Sequence, residues 1–291
     1  MKIYPLSDIF PDTRRNSLVT KMTEKESGLI IVSSPPGGGK TTALYSVADV
    51  IARAGRTVNV ILPKDYTYIP DVEDLKGTWN FFETDPTAEG LQEALDRISD
   101  TREALLFLDI EEIWIKTALQ KAQAGYLALV AMDCTSFGID LADSIRVKGV
   151  FDALQKMGVS NTDIASCLSG IVGQWLLLKL CRHCRVQSTI ELRKIKEIFP
   201  GAANLKTMWT AAGKKRCDEC NTSGFLGRFA ITEILDIHAS EKEGIAEYLK
   251  SGHLPTWDEQ NHQSFVQSVL VNMERGNLGM DMFKARVAEL L

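Results

Sequence analysis

Hydrophobic and polar positions alternate in blocks along the first half of the chain, and these blocks predict strands separated by helices. Short apolar runs rich in branched residues are typical of buried parallel strands. Such runs occur at residues 28–33, 57–62, 104–110 and 126–132. Apolar positions recur at helical spacing within residues 41–54 and 87–102. Strands that alternate with helices predict an α/β fold with a mainly parallel sheet.

The second half of the chain has a different pattern. From Leu141 onward the apolar positions predict helices, until residues 181–229 interrupt them with paired cysteines, glycines and basic residues. Residues 241–291 return to the spacing of amphipathic helices. The change of pattern places a domain boundary near residue 140.

Composition and charge exclude several classes of protein. The formal net charge is −5, so no basic field indicates a nucleic-acid partner, and we expect none. No apolar run approaches the roughly 20 residues of a membrane helix, and residues 1–15 lack the layout of a signal peptide. We therefore expect a cytoplasmic protein, in which the six cysteines serve as metal ligands or core residues rather than disulfides.

A glycine-rich sequence follows the first predicted strand and precedes a predicted helix, which is the context of a phosphate-binding P-loop. Its glycines allow backbone amides to face phosphate oxygens, and the helix N-terminus adds a positive dipole end. The predicted nucleotide-binding residues are Pro36, Gly37, Gly38, Gly39, Lys40, Thr41 and Thr42. Lys40 would contact the β- and γ-phosphates, and the Thr41 hydroxyl would bind Mg²⁺. Ser34 replaces the usual first glycine, a change that would strain the turn; the alternative is a glycine-rich loop with a chance lysine.

Two further acidic residues are candidates for catalysis. Asp109 ends the apolar run of the third strand, where it would complete the Mg²⁺ shell; the alternative is a surface loop after a core strand. Asp65 follows the second strand and is a candidate general base, although an aspartate in a loop is more often simply solvated.

Two C-x-x-C pairs predict a metal site in the second half. Each pair can offer two thiolates to one tetrahedral Zn²⁺, through Cys181, Cys184, Cys217 and Cys220. Four protein ligands leave no open coordination position, so we expect a structural zinc that stabilises a lobe with little core of its own.

The phosphate-loop segment at residues 28–45, the run at 174–184 and the cysteine, glycine and arginine segment at 217–234 resemble one family. It comprises the motor ATPases of type II secretion and of type IV pilus assembly or retraction. The resemblance spans about residues 28–290 in collinear order and implies a RecA-like core with a helical C-terminal part. It also implies ATP, Mg²⁺, a hexameric ring beneath an inner-membrane platform protein, and hydrolysis that drives pilin movement.

Several positions depart from the family pattern. Residues 61–63 are Ile-Leu-Pro where the family has Glu-Asp-Pro, so the glutamate expected to activate water is missing. The magnesium motif keeps an acid at Asp109 but lacks its arginine, and Asp133 stands at the position of the family's histidine. Gln92 and Asp96 stand where two arginines are expected. The family's N-terminal PAS-like domain is expected to be absent or removed.

Three hypotheses follow. The chain is an ATP-hydrolysing motor subunit of a pilus, secretion or conjugation machine, or a degenerate relative that binds nucleotide or keeps only the fold beside an active ATPase. The third hypothesis, a zinc-ribbon nucleic-acid module, is disfavoured by the acidic charge and the P-loop. The predicted domains are an N-terminal segment at residues 1–27, a RecA-like nucleotide-binding core at 28–140, and a C-terminal subdomain at 141–291 with the zinc site and a helical end.

Overall fold

One large mixed sheet forms the centre of the protein. The computed structural model describes residues 2–10, 12–98, 100, 102–133, 145–211, 217–253 and 255–283. The strands within these ranges are β1 (Gly28–Ser34), β2 (Val58–Pro63), β3 (Trp79–Thr84), β4 (Ala104–Phe107), β5 (Leu127–Asp133), β6 (Leu168–Leu180), β7 (Val186–Gln187), β8 (Trp209–Thr210), β9 (Phe225–Asp236) and β10 (His262–Gln263). Eight of these described strands form the sheet in the order β10-β9-β6-β1-β5-β4-β2-β3, while β7 and β8 pair separately.

The sheet is parallel over most of its width. β1 lies between β5 and β6 and is parallel to both, and β4, β2 and β3 continue the parallel part. β9 pairs antiparallel with β6, and β10 adds a short antiparallel edge. Every residue of β1 is buried, as expected of a central strand covered on both faces. The predicted α/β class with a mainly parallel sheet is confirmed.

Helices cover both faces of the sheet. They are α1 (Leu6–Ile9), α2 (Thr13–Thr23), α3 (Lys40–Arg53), α4 (Ala88–Leu95), α5 (Glu112–Gln123), α6 (Ile145–Lys156), α7 (Asn161–Cys167), α8 (Thr189–Ile198), α9 (Ala239–Ser251), α10 (Phe265–Glu274) and α11 (Met280–Met282). Short 3₁₀ turns lie at Val72–Asp74 and Pro200–Ala202. Side chains on opposite faces of β1 enter different cores, since Leu29 and Ile31 pack with α4, α5, α6, α7 and α9, whereas Ile30 and Val32 pack with α1, α2 and α3.

A third hydrophobic cluster supports the far end of the β6–β9 pair. It contains Leu177 and Ile231 from these strands, together with residues of α8, α10 and α11. This cluster lies next to the predicted cysteine site in sequence, because β6 ends immediately before Cys181.

The helical pattern predicted from Leu141 onward is wrong for β6, and β9 begins inside the predicted interruption at residues 181–229 and continues to Asp236. β6 and β9 are strands of 13 and 12 residues that extend the central sheet. β6 begins as a fully buried run with two glycines, so it has no polar face from which its period could be seen.

Two predicted elements are shorter than expected. The helix predicted over residues 87–102 ends at Leu95, where the Ile98 amide turns back to the Leu95 carbonyl at 3.0 Å. The strand predicted over residues 104–110 ends at Phe107. The boundary near residue 140 lies outside the described residues, and the domain division stays a prediction.

In the described part of the chain, every helix is too short or too polar to span a bilayer.

Candidate functional site

The phosphate loop connects the end of β1 to the start of α3. Gly37 and Gly39 have φ values of 74° and 86°, which side-chain-bearing residues rarely adopt. A Cβ at Gly38 would lie 2.3 Å from the Ser34 hydroxyl, so this glycine is required by close approach. The Ser34 hydroxyl donates to the Pro35 carbonyl at 2.8 Å, and Ser34 is not among the residues with positive φ. The predicted strain at Ser34 is therefore not seen in its backbone.

Lys40 folds back over this loop. Its ammonium donates to the Ser34 and Pro35 carbonyls at 3.4 and 3.3 Å and forms an ion pair with Asp133. Asp133 ends β5, and the parallel register places it directly beside Ser34 of β1. The Lys40 and Asp133 side chains are 11% and 29% exposed, so the pair is only partly screened by water.

Asp109 lies where β4 leads into α5. Its carboxylate accepts hydrogen bonds from the Ile110 and Glu111 amides at 2.6 and 3.1 Å, just before the first turn of α5. The carboxylate therefore has a fixed orientation. Asp109 lines one cavity of about 380 Å³ together with Lys40, Thr41 and Asp133.

Tyr66 enters this cavity, whereas Asp65 does not line it. The Tyr66 hydroxyl lies 3.4 Å from the Thr41 hydroxyl, and its ring packs edge-on against Tyr68. Burial raises the pKa of Tyr66, with the Thr41 hydrogen bond opposing the shift, so the phenol stays protonated near neutral pH. Asp65 is exposed in the same loop. The segment that follows β2 thus places the Tyr66 phenol, rather than the Asp65 carboxylate, beside Thr41, the predicted Mg²⁺ ligand.

Gln174 of β6 supports the loop from the other side. Its amide nitrogen donates to the Gly38 carbonyl at 2.7 Å, and the residue is 2% exposed. A Cβ at Gly39 would lie 3.1 Å from the same nitrogen. The first-turn amides of α3 have no intrahelical acceptors, which leaves them free for a ligand. These donors, the Lys40 ammonium and the Thr41 and Asp109 oxygens fit a phosphate chain with Mg²⁺.

The four cysteines converge beyond the ends of β6 and β9. Their sulfurs all lie within 4.8 Å of one another, with Cys181–Cys217 at 3.9 Å and Cys184–Cys220 at 3.7 Å. A tetrahedral Zn²⁺ with bonds of about 2.3 Å requires sulfur separations of about 3.8 Å. The donor set therefore fits a closed zinc site.

Backbone geometry supports this interpretation of the cysteine cluster. The Cys181 amide donates to the Gly224 carbonyl at 2.8 Å, which ties the two pairs together. Asn221 and Thr222 have φ values of 47° and 59° after the second pair, a left-handed conformation that is strained for threonine. A bound metal would hold this strained turn in place.

The cysteine thiols perturb one another. Burial, together with the neighbouring thiols, raises the pKa of Cys184 to about 12. The pKa of Cys220 is lowered to about 7. Burial acts to raise it, but hydrogen bonds from the Gly224 amide and the neighbouring thiols outweigh the effect of burial. Thiols this close resist joint ionisation unless a cation binds between them.

Sequence comparison matches the second half of the chain to one protein family. The family model described as "Type II/IV secretion system protein" matches residues 143–284. The match covers slightly less than half of the chain, and this segment is similar to that family. The matched segment, called the family segment below, contains the cysteine site and the paired strands β6 and β9. β6 lies directly beside β1, the strand that leads into the phosphate loop.

Two curated relatives cover more of the chain. The putative type II secretion system protein E of Escherichia coli K12 is 26% identical over 256 residues, which is 87% of this chain and 48% of the relative. The type IV pilus assembly ATPase TfpB of Acinetobacter baylyi is 26% identical over 232 residues, which is 76% of this chain and 35% of the relative. The chain therefore spans less than half the length of these relatives.

Solved structures of secretion and pilus ATPases share the fold. The Legionella pneumophila ATPase DotB has a TM-score of 0.63 at 14% identity, covering 100% of this chain and 68% of DotB. The pilus retraction motor PilT, solved with ADP, has a TM-score of 0.60 at 17% identity, covering 99% of this chain and 67% of PilT. These matches confirm the RecA-like fold.

Sequence reasoning missed three residues at the site. Tyr66 adjoins the predicted Asp65, and no sequence signal distinguishes which of the two enters the cavity. Gln174 is a polar residue inside a long apolar run, a signal that could have marked it. The sequence marks Asp133 only as a departure from the family, and the structure shows it as the partner of Lys40.

Proposed function

We propose that this chain is an ATP-binding subunit of a type IV pilus, type II secretion or conjugation-related machine, and that it couples Mg-ATP hydrolysis to pilin assembly or transport. The observation that carries the proposal is the convergence of Lys40, Thr41 and Asp109 on one cavity at the end of β1. The family segment at residues 143–284 supports the biological setting.

Different residues at this site would contact the phosphates, the metal ion and the phosphate loop. When bound, Mg-ATP supplies the phosphoanhydride bond, and Mg²⁺ neutralises charge on its oxygens. Lys40 holds the terminal phosphates once they replace Asp133 as its counter-ion. Thr41 and Asp109 hold the metal shell, while Gln174 fixes the loop through Gly38.

The same geometry favours a second candidate, a nucleotide-binding subunit that hydrolyses slowly or not at all beside an active ATPase. Ile61 and Leu62 are buried in β2 where the family has acidic residues, and Asp65 does not line the cavity. Loss of one group that activates water or stabilises charge costs about two to three powers of ten in rate.

A steady-state ATPase assay with Lys40→Ala as control distinguishes the two candidates. The motor function predicts turnover that Lys40→Ala abolishes. Tight ATP binding without turnover in the wild type would reject the motor function for this chain and support the second candidate. Asp65→Asn tests the predicted general base, because unchanged turnover would eliminate that role.

We also propose a zinc ion held by the four cysteines, a hexameric ring, and a position at the cytoplasmic face of the inner membrane through a platform protein. The sulfur separations support the zinc site. Metal analysis should find about one zinc per chain, since a site of this type retains its metal tightly. The ring rests on the family resemblance, and sedimentation that shows only monomers with and without ATP would reject it for this chain.

A further inference from the structure

The segment that follows β2 is tied in place beside the Lys40 cavity. The Lys64 amide donates to the Thr84 carbonyl of β3 at 3.2 Å, and the Tyr66 amide donates to the Pro63 carbonyl at 3.0 Å. The Tyr66 ring is partly buried and packs against the hydrophobic cluster that contains residues of α3 and β2. These contacts fix both the backbone and the ring, so the position of the Tyr66 hydroxyl is set before any ligand binds.

The Tyr66 hydroxyl lies at the end of the cavity where the two predicted Mg²⁺ ligands, Thr41 and Asp109, are found. It is 3.4 Å from the Thr41 hydroxyl. Burial, aided by the Asp109 carboxylate, raises the pKa of the phenol, which therefore stays protonated and able to donate. A protonated phenol is a neutral donor, and it approaches a phosphate anion without the repulsion that a further carboxylate would meet.

The position beside Thr41 distinguishes the terminal phosphate of ATP from the others. In P-loop proteins Mg²⁺ bridges oxygens of the β- and γ-phosphates, and the hydroxyl that follows the P-loop lysine is one of its ligands. A donor 3.4 Å from Thr41 is therefore within reach of a γ-phosphate oxygen. ADP ends at the β-phosphate and offers this donor no such oxygen. The function proposed above assigns no role to Tyr66.

We propose that Tyr66 recognises the γ-phosphate: its hydroxyl gives up Thr41 to the metal and donates to a γ-phosphate oxygen, so that the chain binds ATP more tightly than ADP. The inference rests on the proposed nucleotide function, which places the phosphates at Lys40. Tyr68 is the other tyrosine that lines the cavity, but it is 63% exposed, so water competes for its hydroxyl. Its ring instead supports Tyr66 edge-on, with the ring centroids 6.1 Å apart.

The test compares two nucleotides that differ only in the γ-phosphate. Equilibrium binding of Mg-ATP and of Mg-ADP is measured on the full chain, for the wild type and for Tyr66→Phe, which keeps the packed ring and removes only the hydroxyl. Tyr66→Phe should weaken ATP binding by about tenfold and change ADP binding by less than about twofold, because a hydrogen bond to a charged phosphate is lost in one complex only. Tyr248→Phe is the matched control, since the Tyr248 hydroxyl donates to Asp152 outside the cavity and its loss should change neither affinity.

The ADP measurement also shows whether the site of the variant is folded, so a loss confined to ATP supports the assignment directly. Equal weakening of both nucleotides by Tyr66→Phe would make the hydroxyl a contact of the metal or of the β-phosphate and overturn the assignment. An ATP affinity equal to that of the wild type would overturn it as well. A wild type that binds neither nucleotide would instead reject the nucleotide function itself, and this role of Tyr66 with it.

Discussion

At the scale of single residues, the charge of Lys40 is already paired before any phosphate arrives. Asp133 provides this counter-ion from the neighbouring strand β5, where the family resemblance leads one to expect histidine. A phosphate chain must therefore displace a carboxylate that is attached to the same sheet. Asp133 would act as an internal competitor that weakens nucleotide binding.

Asp133→Asn should tighten Mg-ATP binding by about threefold to tenfold, because an amide is a weaker partner for the Lys40 ammonium than a carboxylate is. Isothermal titration calorimetry measures the change. Asp85→Asn is the control, since it breaks the exposed Lys64–Asp85 pair outside the cavity. Weaker binding by Asp133→Asn would show that Asp133 assists the nucleotide instead of competing with it.

Glu241 at the start of α9 makes a pH-dependent contribution to stability. Burial acts to raise its pKa, but hydrogen bonds from Asn261, the His238 amide and Ser240 outweigh burial and lower the pKa below its ordinary value of 4.5. A carboxylate with a lowered folded-state pKa contributes stability above the unfolded pKa, and this contribution is lost as pH falls through the folded value.

Glu241→Ala should therefore lower the free energy of unfolding by about 1–2 kcal/mol at pH 7, because it removes the capping box of α9. Chemical denaturation at pH 7 and at about pH 3 measures the difference between variant and wild type. The difference should shrink at the lower pH. A difference that is constant with pH would contradict the role of the ionised carboxylate.

At the scale of elements, the β6–β9 pair connects the cysteine site to the phosphate loop. One end carries the four thiols, and Gln174 in the middle of β6 holds the Gly38 carbonyl. The third hydrophobic cluster includes Leu177 and Ile231 of the same pair. Loss of the metal is therefore expected to loosen this cluster before it affects the nucleotide cavity.

Cys217→Ser should reduce bound zinc and lower the melting temperature by about 5–10 °C, corresponding to about 2–3 kcal/mol. Binding of Mg-ATP should remain within about twofold of the wild type. Metal analysis, thermal unfolding and calorimetry on the same preparation give the three values. Parallel loss of zinc and nucleotide binding would contradict a purely structural metal.

The elements also show what the sequence alone can predict. The phosphate loop and the cysteine pairs are local patterns in which every functional residue lies within a few positions of the next. The Lys40–Asp133 pair depends on β5 lying beside β1, an arrangement of strands that no local pattern specifies. β6 escaped prediction because burial on both faces removes the alternation by which a strand is identified.

At the scale of the whole molecule, both halves of the chain contribute to one sheet. β1 precedes residue 140 and β6 follows it, yet they pair in parallel at the centre. β1 is buried at every position, so the loss of β6 would leave an apolar edge. The RecA-like core thus depends on a strand from the family segment at residues 143–284.

A fragment of residues 2–140 is therefore predicted to aggregate or to unfold without a cooperative transition. The full chain should show a cooperative transition under the same conditions. Circular dichroism on heating and size-exclusion chromatography compare the two proteins. A monomeric fragment that unfolds cooperatively would show that residues 28–140 fold without β6.

The central claim is that the loop between β1 and α3 binds the phosphates of ATP through Lys40. Calorimetric titration of the full chain with Mg-ATP, for the wild type and for Lys40→Ala, tests it most directly. We predict saturable binding near one nucleotide per chain and an affinity about 10–100-fold lower in Lys40→Ala, because a charged hydrogen bond to phosphate is lost. Equal affinities for the two proteins, or no binding by the wild type, would contradict it.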